Sequence, residues 1–528
     1  MEPTFRKSMA WLHTWAGVLI GSLLFAIFWM GALSVFDREI DRWMMPGTRL
    51  APALAQQPVK LDGPITEAAQ RLAQGAPEWF IRLPSERVPA VELRWRDEAS
   101  KAMGRRYLHP QTGAVLEHTD TLAGTGFIFP FHYSLHLKWK DVGVWLVGMA
   151  GMAMLLLVVS GLVIHRRIFA DFFLFRPRKH LQRASLDLHN LTGVLAMPFH
   201  FVSALSGVVI LFTIYWPSSY LVAYPQVKDA RQAFSAEGLG QYRRAKASNP
   251  GEPLASLDAM LASAHQQWHG GRADFVRAWH PGDVNSYVEL RRSYADMLTM
   301  NLDQLYFDAS NGVLLHSFEA APIMTSQRFM TGLHRAQWDH WWLRWLYFGA
   351  GITGCVMIAT GLLVWLESRR ASHARKGLAG VRLVEALAVF SVPGIFIATL
   401  VFFVANRLLP QDAAFAEQGR AGLEMAAFYI AWICALIHAA VRGRAAWREQ
   451  IWAVGGLALL AVLLNWVTTG HHLVFTLGHG LGAVAGMDML LLAAAVLAIA
   501  VARRLTRQAS DARSTLVTEL ANSTTSHA

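Results

Sequence analysis

Long apolar runs alternate along the chain with polar segments, and the runs have the length of membrane-spanning helices. An α-helix needs about 20 apolar residues to cross a bilayer. Runs of roughly this length lie near residues 10–34, 142–164, 188–213, 344–366, 384–404, 422–441, 450–469 and 486–502. The first run has no small-residue cleavage site after it, so we expect a retained helix rather than a removed signal peptide. The pattern predicts a mainly α, polytopic membrane protein with about eight transmembrane helices.

Two long polar segments, about 37–140 and about 215–342, separate the first four apolar runs into two hairpins. Each polar segment ends in a similar pattern: Tyr107 or Tyr306 lies in a short run that is followed by a glycine and then by a second short apolar run. A strand, a turn that contains glycine, and another strand explain this pattern. We therefore predict two α+β domains on the same side of the membrane.

The first and third apolar runs are related to each other. The sequence Trp-Leu-His13-Thr-Trp-Ala-Gly aligns without a gap with Asp-Leu-His189-Asn-Leu-Thr-Gly. Before the second and fourth runs, Leu-His136 resembles Leu-His334. The sequence thus predicts a duplicated unit of helix, outer domain and helix, and repeats of this kind often face each other about a pseudo-two-fold axis.

The duplication divides the chain into four parts. The repeats are predicted over residues 1–166 and 167–370, and a separate four-helix membrane block over 381–505. The tail over 506–528 is rich in Ser and Thr and is predicted to be disordered.

Composition and charge support membrane insertion and suggest its direction. The chain is 54% hydrophobic and 16% charged, and its formal net charge is +11. The basic residues are concentrated in the links on one side of the eight predicted helices, which by the positive-inside rule places both termini in the cytoplasm. They include Arg6, Lys7, Arg166, Arg167, Arg176, Arg178, Lys179, Arg183, Arg369, Arg370, Arg442, Arg444, Arg503 and Arg504. Because these charges are spread over several links, we expect no nucleic-acid partner.

Histidines are the candidates for chemistry in this membrane protein. Ionisable groups in or beside apolar spans are costly and therefore mark function by default. Six of them stand at the ends and in the middle of the duplicated part: His13, His136, His165, His189, His200 and His334. Neutral imidazoles that face each other across a helix bundle are suited to be axial ligands of a b-type haem. The two cysteines, Cys355 and Cys434, are too few for an iron–sulfur cluster.

The repeat predicts how these histidines pair. His13 and His189 start equivalent helices at the cytoplasmic face, whereas His136 and His334 precede equivalent helices at the outer face. We predict one haem between each pair, with these four residues as iron ligands. His132, one helical turn before His136, remains an alternative to it.

Three further histidines keep two interpretations each. His200 follows His189 by eleven residues, close to three helical turns, so it is either a ligand stacked on the same helix face or a buried side chain bonded to a carbonyl. His165 closes the second span near the depth of His13 and is either a ligand or an interface residue. His340 is an alternative to His334, as His132 is to His136.

These motifs resemble the PepSY-associated transmembrane proteins. The resemblance rests on the Leu-His-x-x-x-Gly helix starts at His13 and His189, on the Leu-His pairs before the second and fourth spans, and on the Tyr-x-x-x-x-x-Gly-x-Val ends of the outer segments. It covers about 1–366 and implies that the outer domains are PepSY-like. Members of this family include inner-membrane diheme reductases of ferric siderophores. The four helices over about 381–505 are a departure from that pattern.

The resemblance implies a function and a location. We expect a multi-pass protein of the bacterial inner membrane, in contact with its lipids, that holds two haem b groups. It would pass electrons from a cytoplasmic donor or quinol to a ferric siderophore outside, reducing Fe(III) to Fe(II). The alternatives are a non-enzymatic membrane protein that binds a peptidase or cell-wall partner, and a siderophore transporter.

Overall fold

The structure is a computed structural model, and it describes residues 4–98, 102–165, 176–177 and 179–525, with the side chains of 512–525 excepted. Arg166, Arg167 and Arg178, which contribute to the predicted orientation, lie outside the described residues.

Helices make up most of the described chain. In chain order they are α1 (Phe5–Ser34), α2 (Asp37–Met44), α3 (Pro64–Leu72), α4 (Phe129–Ser134), α5 (Val142–Ile164), α6 (Leu181–Leu195), α7 (Met197–Ile210), α8 (Phe212–Tyr215), α9 (Ser218–Ala223), α10 (Ala230–Leu239), α11 (Leu257–Gln267), α12 (Pro322–Arg335), α13 (Trp341–Arg375), α14 (Gly380–Ser391), α15 (Pro393–Leu408), α16 (Arg420–Arg442), α17 (Ala445–Thr469), α18 (Leu473–Gly478) and α19 (Gly482–Thr525).

Seven helical segments of the described chain are long and apolar enough to cross a membrane, and the number is eight when the bent pair α6 and α7 is counted as one span. The two halves of that pair meet at 65°. Pro198 is the second residue of α7 and has no backbone N–H, so it cannot donate to the carbonyl four residues earlier. The predicted polytopic, mainly α class is confirmed, and the kink falls where the proline stands.

The polar segments of the two repeats join in one antiparallel sheet. Its strands are β1 (Glu78–Arg82), β2 (Val91–Arg96), β3 (Met103–Leu108), β4 (Ala273–Trp279), β5 (Tyr287–Arg292), β6 (Gln304–Asp308) and β7 (Leu314–Phe318). They follow the order β3-β2-β1-β4-β5-β6-β7. The pairing of β1 with β4 links the repeats, with Phe80 opposite Arg277. The two predicted outer domains therefore share a single sheet.

One face of the sheet carries a closed apolar core, and the other faces the membrane helices. Ile81, Leu93, Val276 and Leu290 are buried against residues of α3 and α11. The strand after the glycine turn differs between the repeats: β7 is a full strand, but its counterpart is a single bridge between Leu108 and Val115. We call the side of the membrane that carries the sheet the outer side.

Helices α14 to α19 form the C-terminal block, which packs on α1 and α2. α19 runs on to Thr525, so the structure has a helix over most of the segment 506–528 for which the sequence predicts disorder. Residues 526–528 lie outside the described part of the chain.

Candidate functional site

Two histidines face each other at the end of the bundle away from the sheet. His13 lies on α1 and His189 on α6, and their ring centroids are 6.2 Å apart with the planes at 82°. His13 Nδ1 is 3.1 Å from the Leu157 carbonyl oxygen, and His189 Nδ1 is 2.7 Å from the Met357 carbonyl oxygen. Equivalent helices of the two repeats thus carry equivalent histidines, and each histidine forms a hydrogen bond with a carbonyl of a neighbouring helix. We call His13 and His189 the inner pair.

A second pair lies at the sheet end of the same helices. The rings of His132 on α4 and His334 on α12 are 5.8 Å apart, with their planes at 31°. His132 Nδ1 is 2.9 Å from the Ile27 carbonyl oxygen, and His334 Nδ1 is 2.9 Å from the Ser203 carbonyl oxygen. We call His132 and His334 the outer pair.

Every one of these four rings lies against a helical glycine. The glycine comes four residues after the carbonyl that accepts the Nδ1 hydrogen bond, and it leaves the space that the imidazole needs. A Cβ added at the glycine would lie 2.7 to 3.2 Å from the Cε1 atom of the ring. The four glycine–ring contacts are Gly161 with His13, Gly361 with His189, Gly31 with His132 and Gly207 with His334.

The hydrogen bonds select one tautomer of each ring. A carbonyl oxygen can only accept, so each Nδ1 carries the proton and Nε2 keeps its lone pair. Within the described part of the chain, no protein group forms a hydrogen bond with Nε2 of His13, His132, His189 or His334. This is the state of a metal-binding histidine, whose other ring nitrogen usually donates to a carbonyl or carboxylate.

The spacing of both pairs suits one metal atom between two imidazoles. When one metal atom binds two imidazoles on opposite sides, the distance between the ring centroids is the sum of two metal–nitrogen bonds of about 2.0 Å and of the two distances from nitrogen to ring centre. This sum is roughly 6 Å. The observed separations are 6.2 Å and 5.8 Å. Among the described residues no group of three or more His, Cys, Asp or Glu side chains could hold a metal ion. In a haem the iron is bound by two protein side chains such as these histidines, and the macrocycle supplies the remaining ligands.

The polarity of the cavity around the outer pair also fits a haem. Its walls are mainly apolar and include Phe28 and Tyr347, while Arg328 and Arg335 stand at the rim. The Nε atoms of both arginines are buried and have no hydrogen-bond partner among the described residues. Burial, together with the neighbouring cations Arg291 and Arg335, lowers the pKa of Arg328 to about 10. Arg335 also donates from Nη1 to Met300 Sδ at 3.7 Å, so the buried N–H groups left without a protein partner in the described chain are those of the two Nε atoms, and they suit the carboxylates of a haem.

Sequence comparisons agree with this architecture. A family model described as the PepSY-associated TM region matches residues 10–368. The chain belongs to the PepSY-associated transmembrane family. An uncharacterized protein of Pseudomonas aeruginosa is 32% identical over 287 residues, which cover 51% of this chain and 69% of that relative. The family match ends before α14, so the C-terminal block lies outside it.

The structure corrects one predicted pairing in this PepSY-associated protein. His136 does not face His334: its Nε2 is 2.9 Å from the Phe127 carbonyl oxygen, and its ring stacks on Phe127 at 4.8 Å. Helix α4 ends at Ser134, and the next residue, Leu135, has a positive φ of 50°, so the chain turns away before His136. The alternative, His132, takes the place of His136 opposite His334.

The remaining candidates lie outside both pairs. His200 is fully buried, and neither ring nitrogen has a hydrogen-bond partner in the part of the chain that the structure describes. Its neighbours are the rings of Phe28 and Phe199, at 5.6 and 5.7 Å, and the bend before α7 removes the common face with His189. His165 ends α5, and its Nε2 has no partner among the described residues.

A polar cleft separates the sheet from the outer pair. Arg82, Glu92 and Arg94 of the sheet line it, and Phe129 and Arg335 line both this cleft and the histidine cavity. Those last two side chains therefore form the partition between the two spaces.

A buried ion cluster holds the sheet to the membrane helices near this cleft. Glu39 on α2 accepts from Arg87 at 2.6 Å and from Arg344 at 2.5 Å. Burial alone would raise the pKa of Glu39, but the two arginines lower it to about 2. Arg87 belongs to the loop between β1 and β2, and Arg344 begins the span α13, so one carboxylate joins the outer domain to the bundle. Sequence reasoning did not find this cluster, because its three residues are far apart in the chain.

Proposed function

We propose that this protein holds two b-type haems, one between His13 and His189 and one between His132 and His334, and carries electrons through the membrane. The observation that supports this most strongly is that both pairs share one geometry: a ring over a helical glycine, Nδ1 on a carbonyl, and Nε2 free. Duplication of a helix hairpin explains the likeness between the repeats. Selection for core packing alone does not require four neutral imidazoles in facing pairs.

The two pairs lie at opposite ends of the helix bundle. His13 and Gly31, which contacts His132, are 18 residues apart on α1. That corresponds to about 27 Å along the helix axis, most of the thickness of the hydrocarbon layer. A bound haem supplies a one-electron Fe(III)/Fe(II) couple, and the histidines hold it in place. Two such carriers, one near each membrane face, would span the bilayer.

We propose that the acceptor is a ferric siderophore at the outer side. The polar cleft under the sheet lies directly beyond the outer pair, with Phe129 and Arg335 between them. One electron converts the Fe(III) of the chelate to Fe(II), which hard oxygen ligands hold less tightly. The electron donor would be a cytoplasmic protein or a membrane quinol. The basic links favour the bacterial inner membrane with both termini in the cytoplasm.

Vesicles of known orientation test this function. The reduced protein should show a b-type absorption spectrum, and a membrane-impermeant ferric chelate should reoxidise it only from the sheet side. Equal reoxidation from the opposite face would contradict the direction, and no reoxidation from either face would contradict ferric reduction. A colourless preparation without haem would exclude electron transfer and would leave binding of a peptidase or cell-wall partner, or siderophore transport, as the alternatives.

A further inference from the structure

The C-terminal block contains an apolar cleft that the duplicated helices do not explain. It lies between α17 and α19 at the outer side and has a volume of about 490 Å³. Leucine and valine side chains line most of it, together with Trp466, His472 and Asp488. Trp466 is 53% exposed, which indicates that the mouth of the cleft opens toward the lipid rather than toward the core.

Asp488 is a carboxylate at the base of this cleft. It is 1% exposed, and it accepts hydrogen bonds from Trp43 Nε1 at 2.7 Å and from Asn465 Nδ2 at 3.1 Å. Among the described residues no cation forms an ion pair with it within 4 Å, although Arg49 and Arg407 lie near enough to interact electrostatically. An intramembrane carboxylate without a direct ion pair is costly and indicates a function.

The chemistry of the cleft selects its occupant. A phospholipid acyl chain would fill the apolar part but would form no hydrogen bond with Asp488 or His472. A lipid-soluble ring with two hydroxyl groups can form hydrogen bonds with both residues. Asp488 would accept from one hydroxyl, and His472 would donate to the oxygen of the other. His472 Nδ1 accepts from the backbone N–H of Phe475 at 3.2 Å, so its Nε2 carries the proton that is available for donation.

We propose that this cleft binds an isoprenoid hydroquinone and that Asp488 is the base for its oxidation. The inference rests on the proposed function, because the two haems are the oxidant. Oxidation of one hydroquinone to the quinone breaks two O–H bonds and releases two electrons and two protons. Bound haem would take up these electrons, one for each Fe(III) reduced to Fe(II). One proton goes to the Asp488 carboxylate, and the other goes to water at the outer mouth beside His472.

Packed aromatic rings connect the cleft with the outer pair. Trp43, which donates to Asp488, has its ring 5.6 Å from Phe403, the neighbour of Phe402 in the chain. Phe402 stacks on Phe127 at 4.5 Å, and Phe127 is 6.2 Å from Phe131, the residue before His132. Electrons released at Asp488 therefore have a continuous path through closely packed protein to the outer pair, next to the external acceptor. The inner pair would serve the other proposed donor, a cytoplasmic protein.

Photolabelling tests the binding site without relying on electron transfer. A photoreactive azidoquinone is irradiated with the full chain in lipid vesicles, and the labelled peptides are identified by mass spectrometry. We expect label on α17 and α19, and at least a tenfold loss of it in Leu463→Trp, which fills the cleft. Leu460→Trp is the matched control, since Leu460 is exposed on the same helix and does not line the cleft. Label elsewhere, or label that Leu463→Trp does not reduce, would overturn the proposal.

Reduction kinetics test the role of Asp488. Oxidised holoprotein is mixed anaerobically with a hydroquinone that has a decyl tail, and the b-type spectrum is followed. Loss of a general base typically slows a reaction by about 100-fold or more. We expect such a loss in Asp488→Asn, with reduction by dithionite unchanged, whereas Glu449→Gln on the cytoplasmic part of α17 should keep the normal rate.

The two proposals fail in distinguishable ways. A chain that contains no haem but is labelled in the cleft would contradict the electron carrier and leave the binding site. A haem-containing chain that is not labelled there, or whose Asp488→Asn variant reacts with the hydroquinone at the full rate, would contradict the cleft and leave the electron carrier.

Discussion

The inner and outer histidine pairs have the same local geometry but are built from different elements. His13 and His189 belong to long apolar helices whose place is set by the membrane. His132 and His334 belong to the short helices α4 and α12, which connect the sheet to the following spans. In the part of the chain that the structure describes, an arginine rim and a polar cleft lie beside the outer pair. The comparison indicates that the same arrangement, a glycine with an accepting carbonyl four residues before it, holds the imidazole in both pairs, whichever element carries the histidine.

The difference has a functional consequence. The inner pair depends on helix packing alone, so changes in the outer domain should leave it intact. The outer pair depends on the sheet and on the cluster around Glu39, and it is the pair that an external acceptor can approach. The predictions below separate the two pairs, from the largest expected effect to the smallest.

Removing an inner ligand should have the largest effect. His13→Ala or His189→Ala takes one of the two imidazoles from the inner haem, and we expect haem content to fall by half, with the outer centre still visible in the spectrum. His165→Ala is the control, because His165 belongs to neither pair, and it should keep the full content. A pyridine haem assay on purified protein measures this. Full haem content in both inner variants would show that the inner pair does not bind haem.

Glu39→Gln should weaken the outer pair and leave the inner pair unchanged. The substitution removes the charge that pairs with the buried Arg87 and Arg344, and breaking a buried ion pair typically costs about 3–5 kcal/mol. We expect a lower unfolding temperature in detergent and early loss of the outer haem. The exposed Glu252→Gln is the matched control. Simultaneous loss of both haems would show that the pairs are not independent.

The same carboxylate predicts a pH dependence. The pKa of Glu39 is about 2 in the folded protein, below the value of about 4.3 for an unperturbed glutamate. Its contribution to stability is therefore full above roughly pH 5 and is lost as the pH falls toward 2. Acid titration of the spectrum should release the outer haem before the inner one, and this order should be less distinct in Glu39→Gln.

A methyl group at a ring-supporting glycine should disturb one centre. In Gly207→Ala the new Cβ would lie 2.9 Å from His334 Cε1, so the ring must move. We expect a changed absorption or electron-paramagnetic-resonance signal of the outer haem, with partial loss of the cofactor. Gly456→Ala in α17 is the control, because no atom lies within 4 Å of its added Cβ. Identical spectra for the two variants would mean that the glycine contact has no role.

Arg335→Gln should produce the smallest effect. A cation at the rim stabilises the reduced, more electron-rich form of the outer haem, so its removal should lower the midpoint potential of that centre by tens of millivolts. The inner potential should not change, and neither should change in Arg231→Gln on the exposed helix α10. Redox titration followed in the visible spectrum separates the two centres.

Much of this architecture could be predicted from the sequence. The eight spans follow from apolar run length, and the duplication follows from the gap-free match around His13 and His189. His13 lies near the start of α1 and His189 near the start of the bent pair α6 and α7, so their sequence match also predicts a common depth in the membrane.

Three features could not be predicted, for physical reasons. The Leu-His match at His136 and His334 was misleading. Helix α4 ends at Ser134, and the chain turns between His132 and His136. The pairing of β1 with β4 joins segments nearly 200 residues apart, and neither strand shows by its pattern that its partner belongs to the other repeat. The hydrogen bond between Trp43 and Asp488 similarly links the first repeat to the C-terminal block.

Haem stoichiometry in two neighbouring variants tests the central claim most directly. The account predicts two haems per chain in the unaltered protein, one in His132→Ala and two in His136→Ala, by pyridine haem assay and quantified protein. Two haems in His132→Ala together with loss of one in His136→Ala would contradict the outer pair, and an unaltered protein without haem would contradict the whole account.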